Sequence, residues 1–364
     1  MANLKNNTLK KNLHLMTLAF EQAKINLGST KKNPSVGCIV EKHGSVISSG
    51  HTSINGRPHG EYNALNKQIN FKNSNLYVTL EPCSHYGVTP PCTNLIIKKK
   101  INKVFYSLND QDFRSKYKSR AILNKKNIFV KSNLLKKIGD DFYKSYFMQH
   151  NSTLPYIDAK IAISKDYFTI NKNKKWITNL ESRKRAQLIR TTYNCIISTS
   201  KSINKDNSLL NCRLEGLENK SPDLIIIDRN LKIKGNLKLF KNQKYRRIYL
   251  FTCKNEKKKI SILKKRGIKV FLLKKLTSNK DFISFFLLLK KKGYSRIFIE
   301  CGLLLTNLLI KYKFIQNIYI FKSSFKLNNK GKNDASIKTL KNIKLHNKVC
   351  VNLFGDKLYK EKLI

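Results

Sequence analysis

The chemistry-bearing residues of this 364-residue chain lie close together: His59-Gly60-Glu61, then Pro82-Cys83, then Cys92. One imidazole and two thiolates supply three donors of a tetrahedral zinc site and leave the fourth position for a water, as a catalytic rather than a structural site requires. Glu61 follows the histidine by two positions and is suited to moving protons, not to binding metal. It can take a proton from the activated water and pass it to a substrate ring and a leaving amine. That is the chemistry of hydrolytic deamination. His51 and His85 are rival donors by type, but neither is followed by a carboxylate at the same offset. His85 is read instead as a hydrogen-bond donor on the substrate side. A lone His-x-Glu, or two cysteines, would each be ordinary; the combination carries the reading.

These residues need elements to hold them. Leu13, Met16, Phe20, Ala23 and Leu27 fall at helical spacing and predict a helix over 11–27, ended by Gly28. Val36–Val40, a turn at Lys42-His43-Gly44 and Val46-Ile47 predict a hairpin. A helix over Glu61–Lys67 starts directly after His59, and a strand over Leu76–Leu80 delivers Pro82-Cys83. A helix over Thr93–Lys99 follows Pro90-Pro91-Cys92, with proline where helix starts favour it. Histidine and cysteine thus sit at helix starts, where the dipole stabilises thiolates. A strand at Val104–Leu108, a polar Lys/Asn-rich stretch and a helix over Leu134–Met148 complete this half.

The polar segment Gln149–Pro155 reads as a linker, giving domains 1–150 and 151–364. Beyond it, strands at Tyr156–Ile163, Asn194–Ser198, Asp223–Ile227, Arg247–Phe251, Lys269–Leu273, Arg296–Ile299 and Asn317–Phe321 are expected. They alternate with helices at Ser182–Arg190, Asp281–Lys291 and Leu303–Ile310, the pattern of an α/β domain on a mostly parallel sheet. No G-x-G-x-x-G follows a strand, so the Rossmann fingerprint is absent. Two strand ends are site-like: the polar loop Thr199-Ser200-Lys201-Ser202, and Glu300-Cys301-Gly302 at a helix start, where glycine permits close approach of an anion.

Lys and Arg number 73 against 22 Asp and Glu, a formal charge of +51. Arg supplies only twelve of those cations, and the lysines are scattered, whereas nucleic-acid readers concentrate Arg on one face. Lys, Asn, Ile, Phe and Tyr are enriched together, which points to the codon bias of an AT-rich genome. A hydrophobic fraction of 41% excludes a disordered basic tail. Eight dispersed cysteines, no signal-peptide pattern and no long apolar run read as a cytoplasmic protein with reduced thiols.

The His-x-Glu plus Pro-Cys…Cys pattern is the signature of zinc deaminases of nucleobases and nucleosides. Nucleic-acid editors of that group carry Pro-Cys-x-x-Cys, whereas Ser84–Pro91 separates the cysteines here. The string TLEPCSHYGVTPPC, Thr79–Cys92, and Asn33-Pro34-Ser35-Val36-Gly37 resemble the bifunctional riboflavin-biosynthesis family of pyrimidine deaminase/reductases. The resemblance spans essentially the whole chain. It implies an α/β protein with an N-terminal cytidine-deaminase-like zinc domain and a C-terminal dihydrofolate-reductase-like domain. Zn2+ and NADPH are the implied cofactors, and a small phosphorylated pyrimidine is the implied substrate. The protein is expected to be a homo-oligomer with no specific nucleic-acid or membrane partner.

Further residues are implied only by the resemblance. Asn33 belongs to the deaminase pocket. Lys174, Arg190, Leu210, Arg213 and Glu300 match substrate positions of the reductase, and Ala162, Trp176, Ser202, Asp206 and Gly302 match cofactor positions. This chain also departs from the family pattern. Ala162 and Tyr167 stand where glycines are usual, Lys174 for Ser, Ser208 for Pro, Arg229 for Ser, Gly60 for Ala, and Tyr117-Lys118-Ser119 for Gly-x-Gly. Two other readings stay open at this level: a nucleic-acid deaminase, or a deaminase whose reductase half is a scaffold.

Overall fold

The computed structural model describes residues 2–241 and 244–364, and the chain divides into two compact units, Met1–Thr153 and Leu154–Ile364. The first contains α1 (Ala2–Lys24), β1 (Gly37–Lys42), β2 (Ser45–His51), α2 (Gly60–Leu65), β3 (Asn75–Leu80), α3 (Cys92–Lys98), β4 (Lys103–Leu108), α4 (Ser119–Asn124), β5 (Phe129–Lys131) and α5 (Lys136–Asn151). Its sheet has the order β2-β1-β3-β4-β5. β1 runs antiparallel to both neighbours, and β3, β4 and β5 run parallel. The β3 and β4 sequences are almost continuously buried, as expected of strands covered on both faces. α1 lays its buried Met16, Ala19, Phe20 and Ala23 on that sheet.

The helix expected over 11–27 in fact starts at Ala2 and stops at Lys24. Residues 6–11 are solvent-exposed, so apolar periodicity carries no signal there, and the chain beyond Lys24 closes in turns ending at Gly28, φ 88°. The hairpin forms with His43 and Gly44 both at positive φ, as a two-residue turn between twisted strands prefers. The polar stretch after β4 is not structureless: it folds into α4 and β5.

α2 sits against the strands at backbone contact. A Cβ on Gly60 would lie 2.6 Å from the Val36 carbonyl oxygen, and one on Gly50 of β2 would lie 2.4 Å from the Ala64 nitrogen. This explains why glycine replaces the alanine expected at position 60: the helix that carries the candidate acid/base has no room for a methyl. Gly60→Ala is therefore expected to destabilise the first unit by about 1–3 kcal/mol, as overpacking does, measurable as a lowered thermal midpoint. An unchanged midpoint would contradict this packing.

The second unit runs β6 (Tyr156–Ile163), β7 (Ile170–Asn171), α6 (Leu180–Arg190), β8 (Cys195–Thr199), α7 (Ser200–Asp206), β9 (Asp223–Ile227), β10 (Ile248–Thr252), α8 (Lys257–Lys265) and β11 (Lys269–Leu272). It continues through α9 (Asn279–Lys291), β12 (Arg296–Ile299), α10 (Leu303–Lys311), β13 (Asn317–Lys322), β14 (Gly331–Lys332), α11 (Lys338–Lys341) and β15 (Lys357–Lys362). The main sheet has the order β11-β10-β9-β8-β12-β6-β13-β15 and is parallel up to β13, with β15 added antiparallel at the edge. Strand alternation splits its core in two. Ile225, Ile227, Phe251 and Ile297 face one apolar cluster, and Leu224, Ile226, Leu250 and Phe298 face the other, so helices cover both faces.

Two readings need correction here, and one helix was not expected. α5 continues to Asn151, so Gln149–Asn151 are helix rather than linker. Thr199–Ser202 is not a loop: Thr199 caps α7 through a hydrogen bond from the Ser202 N–H to its side chain. α8 begins in the lysine run Lys257–Lys259, where only Ile260 and Leu263 are buried and the periodic signal is short.

Candidate active sites

His59 is the residue before the first turn of α2, Glu61 lies within that turn, and Cys92 opens α3 behind Pro91. Cys83 lies just past β3, where Pro82 ends the strand. The strand end is fixed by Tyr143 of α5, whose hydroxyl bonds the Thr79 hydroxyl and donates to the Ser35 carbonyl at 3.1 Å. The His59 Nδ1 lies 3.6 Å from Cys83 Sγ and 3.5 Å from Cys92 Sγ, and the three donor atoms fall within 4.8 Å of one another. Among the described residues this is the group of three or more His, Cys, Asp or Glu side chains able to hold a metal ion.

The electrostatics match such an occupant. The Cys83 thiol is pulled down to about 4, chiefly by the hydrogen bond from Cys92, with His59 and the Cys92 N–H adding to it against the burial penalty. Cys92, which shares its proton with Cys83, is raised. A cation between the sulfurs would replace that shared proton and hold both as thiolates. Glu61 is pushed up to about 7, mainly by burial, and its Oε2 is buried without a hydrogen-bond partner. A buried carboxylate oxygen is rarely left unbonded unless a substrate or water is to meet it. One imidazole, two thiols and this oxygen fit a zinc ion with an open position.

The pocket wall is built by a carboxylate that the sequence reading did not single out. Glu81, buried between β3 and Pro82, accepts from the backbone N–H groups of Asp110, Tyr117 and Ser119, and from the Ser119 hydroxyl at 2.9 Å. The loop so gathered carries Ser115, whose Oγ lies 2.6 Å from His85 Nδ1 and accepts from the Ser84 N–H at 3.3 Å. Tyr117, at the place of a usual glycine, keeps the left-handed backbone, φ 63°. Asn33 donates from Nδ2 to the Gly56 carbonyl at 2.8 Å, pinning the turn that leads to His59. His51 lies apart, its Nδ1 3.4 Å from Gln22 Oε1.

In the second unit the structure brings some of the expected residues together. Arg190 and Glu300, both buried, form a bidentate ion pair, Nε to Oε1 at 2.5 Å and Nη2 to Oε2 at 3.0 Å, and Arg190 also donates to the Asn211 carbonyl. Lys160 Nζ lies 3.9 Å from the same carboxylate. Burial opposes ionisation of Glu300, but Arg190, Lys160 and Arg213 together hold its carboxyl below the ordinary range. Arg213 hydrogen-bonds Asn211 and is exposed at this edge. Ser202 and Gly302 also meet, the Gly302 N–H donating to Ser202 Oγ at 3.2 Å. Asp206 ends α7 and is exposed, and Ala162 is half-buried on β6 opposite Phe321.

Other expected residues stand apart. The Leu210 side chain is buried in the apolar core at φ 51°, and its carbonyl is taken by the buried Arg246. Lys174 is exposed, and Trp176 is exposed beneath the Lys175 ammonium and the Arg183 guanidinium at 5.1 and 4.9 Å. Tyr167, another usual glycine, retains φ 68°. Asp334 and Arg246 were not singled out. Asp334 lies 3.6 Å from Lys201 and fills the space a Cβ on Gly302 would need, a contact no local pattern reveals.

A metal-binding deaminase unit and a second α/β unit with a charged strand-end cluster define a two-part enzyme. The description "Cytidine and deoxycytidylate deaminase zinc-binding region" matches residues 9–108, and "RibD C-terminal domain" matches residues 155–329. The riboflavin biosynthesis protein RibD of Bacillus amyloliquefaciens is 31% identical over 292 residues, covering 79% of this chain and 78% of that protein. RibD of Aquifex aeolicus is 33% identical over 262 residues, covering 71% and 73%. The structure is similar to a diaminohydroxyphosphoribosylaminopyrimidine deaminase/5-amino-6-(5-phosphoribosylamino)uracil reductase of Thermotoga maritima, with a TM-score of 0.79 at 23% identity, covering 98% of this chain and 99% of that one. It is also similar to Acinetobacter baumannii RibD, with a TM-score of 0.76 at 24% identity, covering 97% and 98%. The chain belongs to the RibD family, the bifunctional deaminase/reductases of riboflavin biosynthesis.

Proposed function

We propose that residues 1–150 deaminate 2,5-diamino-6-ribosylamino-4(3H)-pyrimidinone 5′-phosphate and that residues 151–364 then reduce its ribosyl side chain to ribityl with NADPH. The observation that carries the first step is the unpartnered Glu61 Oε2 beside His59, Cys83 and Cys92. When bound by those three residues, zinc supplies the acidity that makes a water nucleophilic near neutral pH. Glu61, poised near pH 7 by burial, accepts a proton from the attacking water at Oε2 and passes it to the ring nitrogen, then carries that water's second proton to the amino group, which departs as ammonia. His85, steadied by Ser115, donates to the substrate, and Asn33 shapes the pocket by holding the Gly56 turn.

In the second unit, the exposed Arg213 suits a phosphate monoester, and Arg190, held by Glu300 and the Asn211 carbonyl, joins Lys160 in the charge cluster of the proposed substrate side. Lys174 and Leu210 complete the proposed substrate positions. α10 opens at Gly302 with no side-chain cap, and the Thr199 and Ser202 hydroxyls lie at the adjoining start of α7, donors that fit a dinucleotide's phosphates. Ala162, Trp176 and Asp206 would help to hold NADPH there, which when bound would supply the hydride.

The protein is further read as a cytoplasmic homo-oligomer acting on small molecules, without a nucleic-acid or membrane partner. No helix among the described residues is long and apolar enough to cross a membrane. The order of events tests the reading. With the diamino substrate, ammonia release is expected to precede NADPH oxidation, and the deaminated pyrimidine alone is expected to consume NADPH without ammonia. Oxidation of NADPH by the diamino compound before any ammonia appears would contradict it.

A further inference from the structure

We propose that Arg57 is the phosphate-recognition residue of the deaminase site. The inference rests on the reading above, in which the substrate carries a 5′-phosphate.

Arg57 sits in a turn fixed from several sides. The Gly56 carbonyl accepts from Asn33, the Asn55 N–H donates to the Ser29 carbonyl, and the Ser53 N–H donates to the Pro58 carbonyl at 3.0 Å. From this turn, two residues before His59, the half-buried Arg57 side chain crosses to the loop between the two cysteines and donates from Nη1 to Thr89 Oγ1. It meets His85 there: a Cβ on Gly87 would lie 3.6 Å from Arg57 Nη2 and 3.8 Å from His85 Nε2. The guanidinium and the imidazole therefore converge on one bare stretch of backbone beside the metal-binding cluster.

Charge selects Arg57 from its neighbours. The loop Ser84–Pro91 contains no Lys or Arg. Arg114, on the loop that carries Ser115, is already neutralised by Asp112, which accepts from Nε at 2.9 Å and Nη2 at 2.5 Å. Among the described residues the ion pairs of this unit are Lys11–Glu41, Lys24–Glu21, Arg114–Asp112 and Lys136–Asp140, and none involves Arg57. Its bond is to a neutral hydroxyl, which a phosphate displaces at little cost while gaining charge-assisted, bidentate contacts. Thr89 in this account parks the guanidinium at the pocket mouth.

The test compares the wild type with Arg57→Gln, Arg57→Lys and Thr89→Ala in steady-state deamination of the diaminopyrimidine ribotide and its dephosphorylated form. Ribose 5-phosphate serves as a competitive inhibitor. Arg57→Gln is expected to raise KM for the phosphorylated substrate about ten- to a hundredfold with kcat nearly unchanged, and to leave the dephosphorylated substrate unaffected. Inhibition by ribose 5-phosphate should weaken in parallel. Arg57→Lys should recover part of the loss, and Thr89→Ala should keep the preference for phosphate. Zinc content and NADPH-dependent reduction in the same samples report their integrity. Equal KM changes for both substrates, or a Thr89→Ala enzyme that behaves like Arg57→Gln, would make Arg57 a loop tie and overturn the proposal. A wild type that deaminates neither compound would overturn the functional reading beneath it, a separate outcome.

Discussion

Glu61→Gln is expected to lower deamination by about a thousandfold or more, the range general acid–base groups supply, while zinc stays bound. The expectation follows from where the carboxylate sits. It is buried on α2 beside His59 yet makes no bond through Oε2, and burial lifts it to about 7, where it both accepts and releases a proton at neutral pH. Glutamine keeps the volume and one hydrogen-bonding oxygen but cannot carry the proton. The metal cluster itself is His59, Cys83 and Cys92, so zinc measured in the purified variant should match the wild type. Loss of zinc would instead place Glu61 among the ligands, and retained turnover would remove it from the mechanism.

Glu300→Gln is expected to destabilise the second unit by about 3–5 kcal/mol and to abolish reduction, because it strands the Arg190 guanidinium without its charge partner. Glu300 and Arg190 are both buried, and Lys160 and Arg213 add positive charge around the same carboxylate. Denaturant titration followed in that unit measures the loss. A double variant, Arg190→Met with Glu300→Leu, should be less destabilised than either charge removed alone, since it leaves no unpaired buried ion. Additive losses would contradict the coupling.

The metal cluster was legible in the sequence because each part of it is local. His59 and Glu61 share one helix start, and Cys83 and Cys92 flank a single loop between a strand and a helix whose punctuation is proline. What supports the cluster was not legible. Glu81 acts on backbone groups of residues 110–119, and Ser115, in the polar stretch after β4, reaches His85 across thirty positions. Such contacts are made by tertiary packing, and neither periodicity nor spacing records them.

The reductase half repeats that contrast more strongly. Its strands announced themselves as short apolar runs, but α7 and α8 did not, because their buried positions are too few to set a period. Arg190 and Glu300 lie 110 residues apart and meet only because β8 and β12 are neighbours in the sheet. The lost glycines are also reinterpreted by the backbone. Tyr117 and Tyr167 adopt the left-handed conformation that glycine would have occupied, so the turn survives the substitution at a cost of roughly 1–2 kcal/mol each.

The central claim is that one chain performs two separable reactions, one dependent on the metal cluster and one independent of it. The most direct measurement is NADPH oxidation by a single preparation before and after zinc chelation, supplied in turn with the diamino substrate and with its deaminated product. Chelation is expected to stop ammonia release and all NADPH consumption from the diamino compound, and to leave reduction of the deaminated compound intact. Reduction of the diamino compound by the zinc-free enzyme would contradict the account, as would no reduction of the deaminated compound by either preparation.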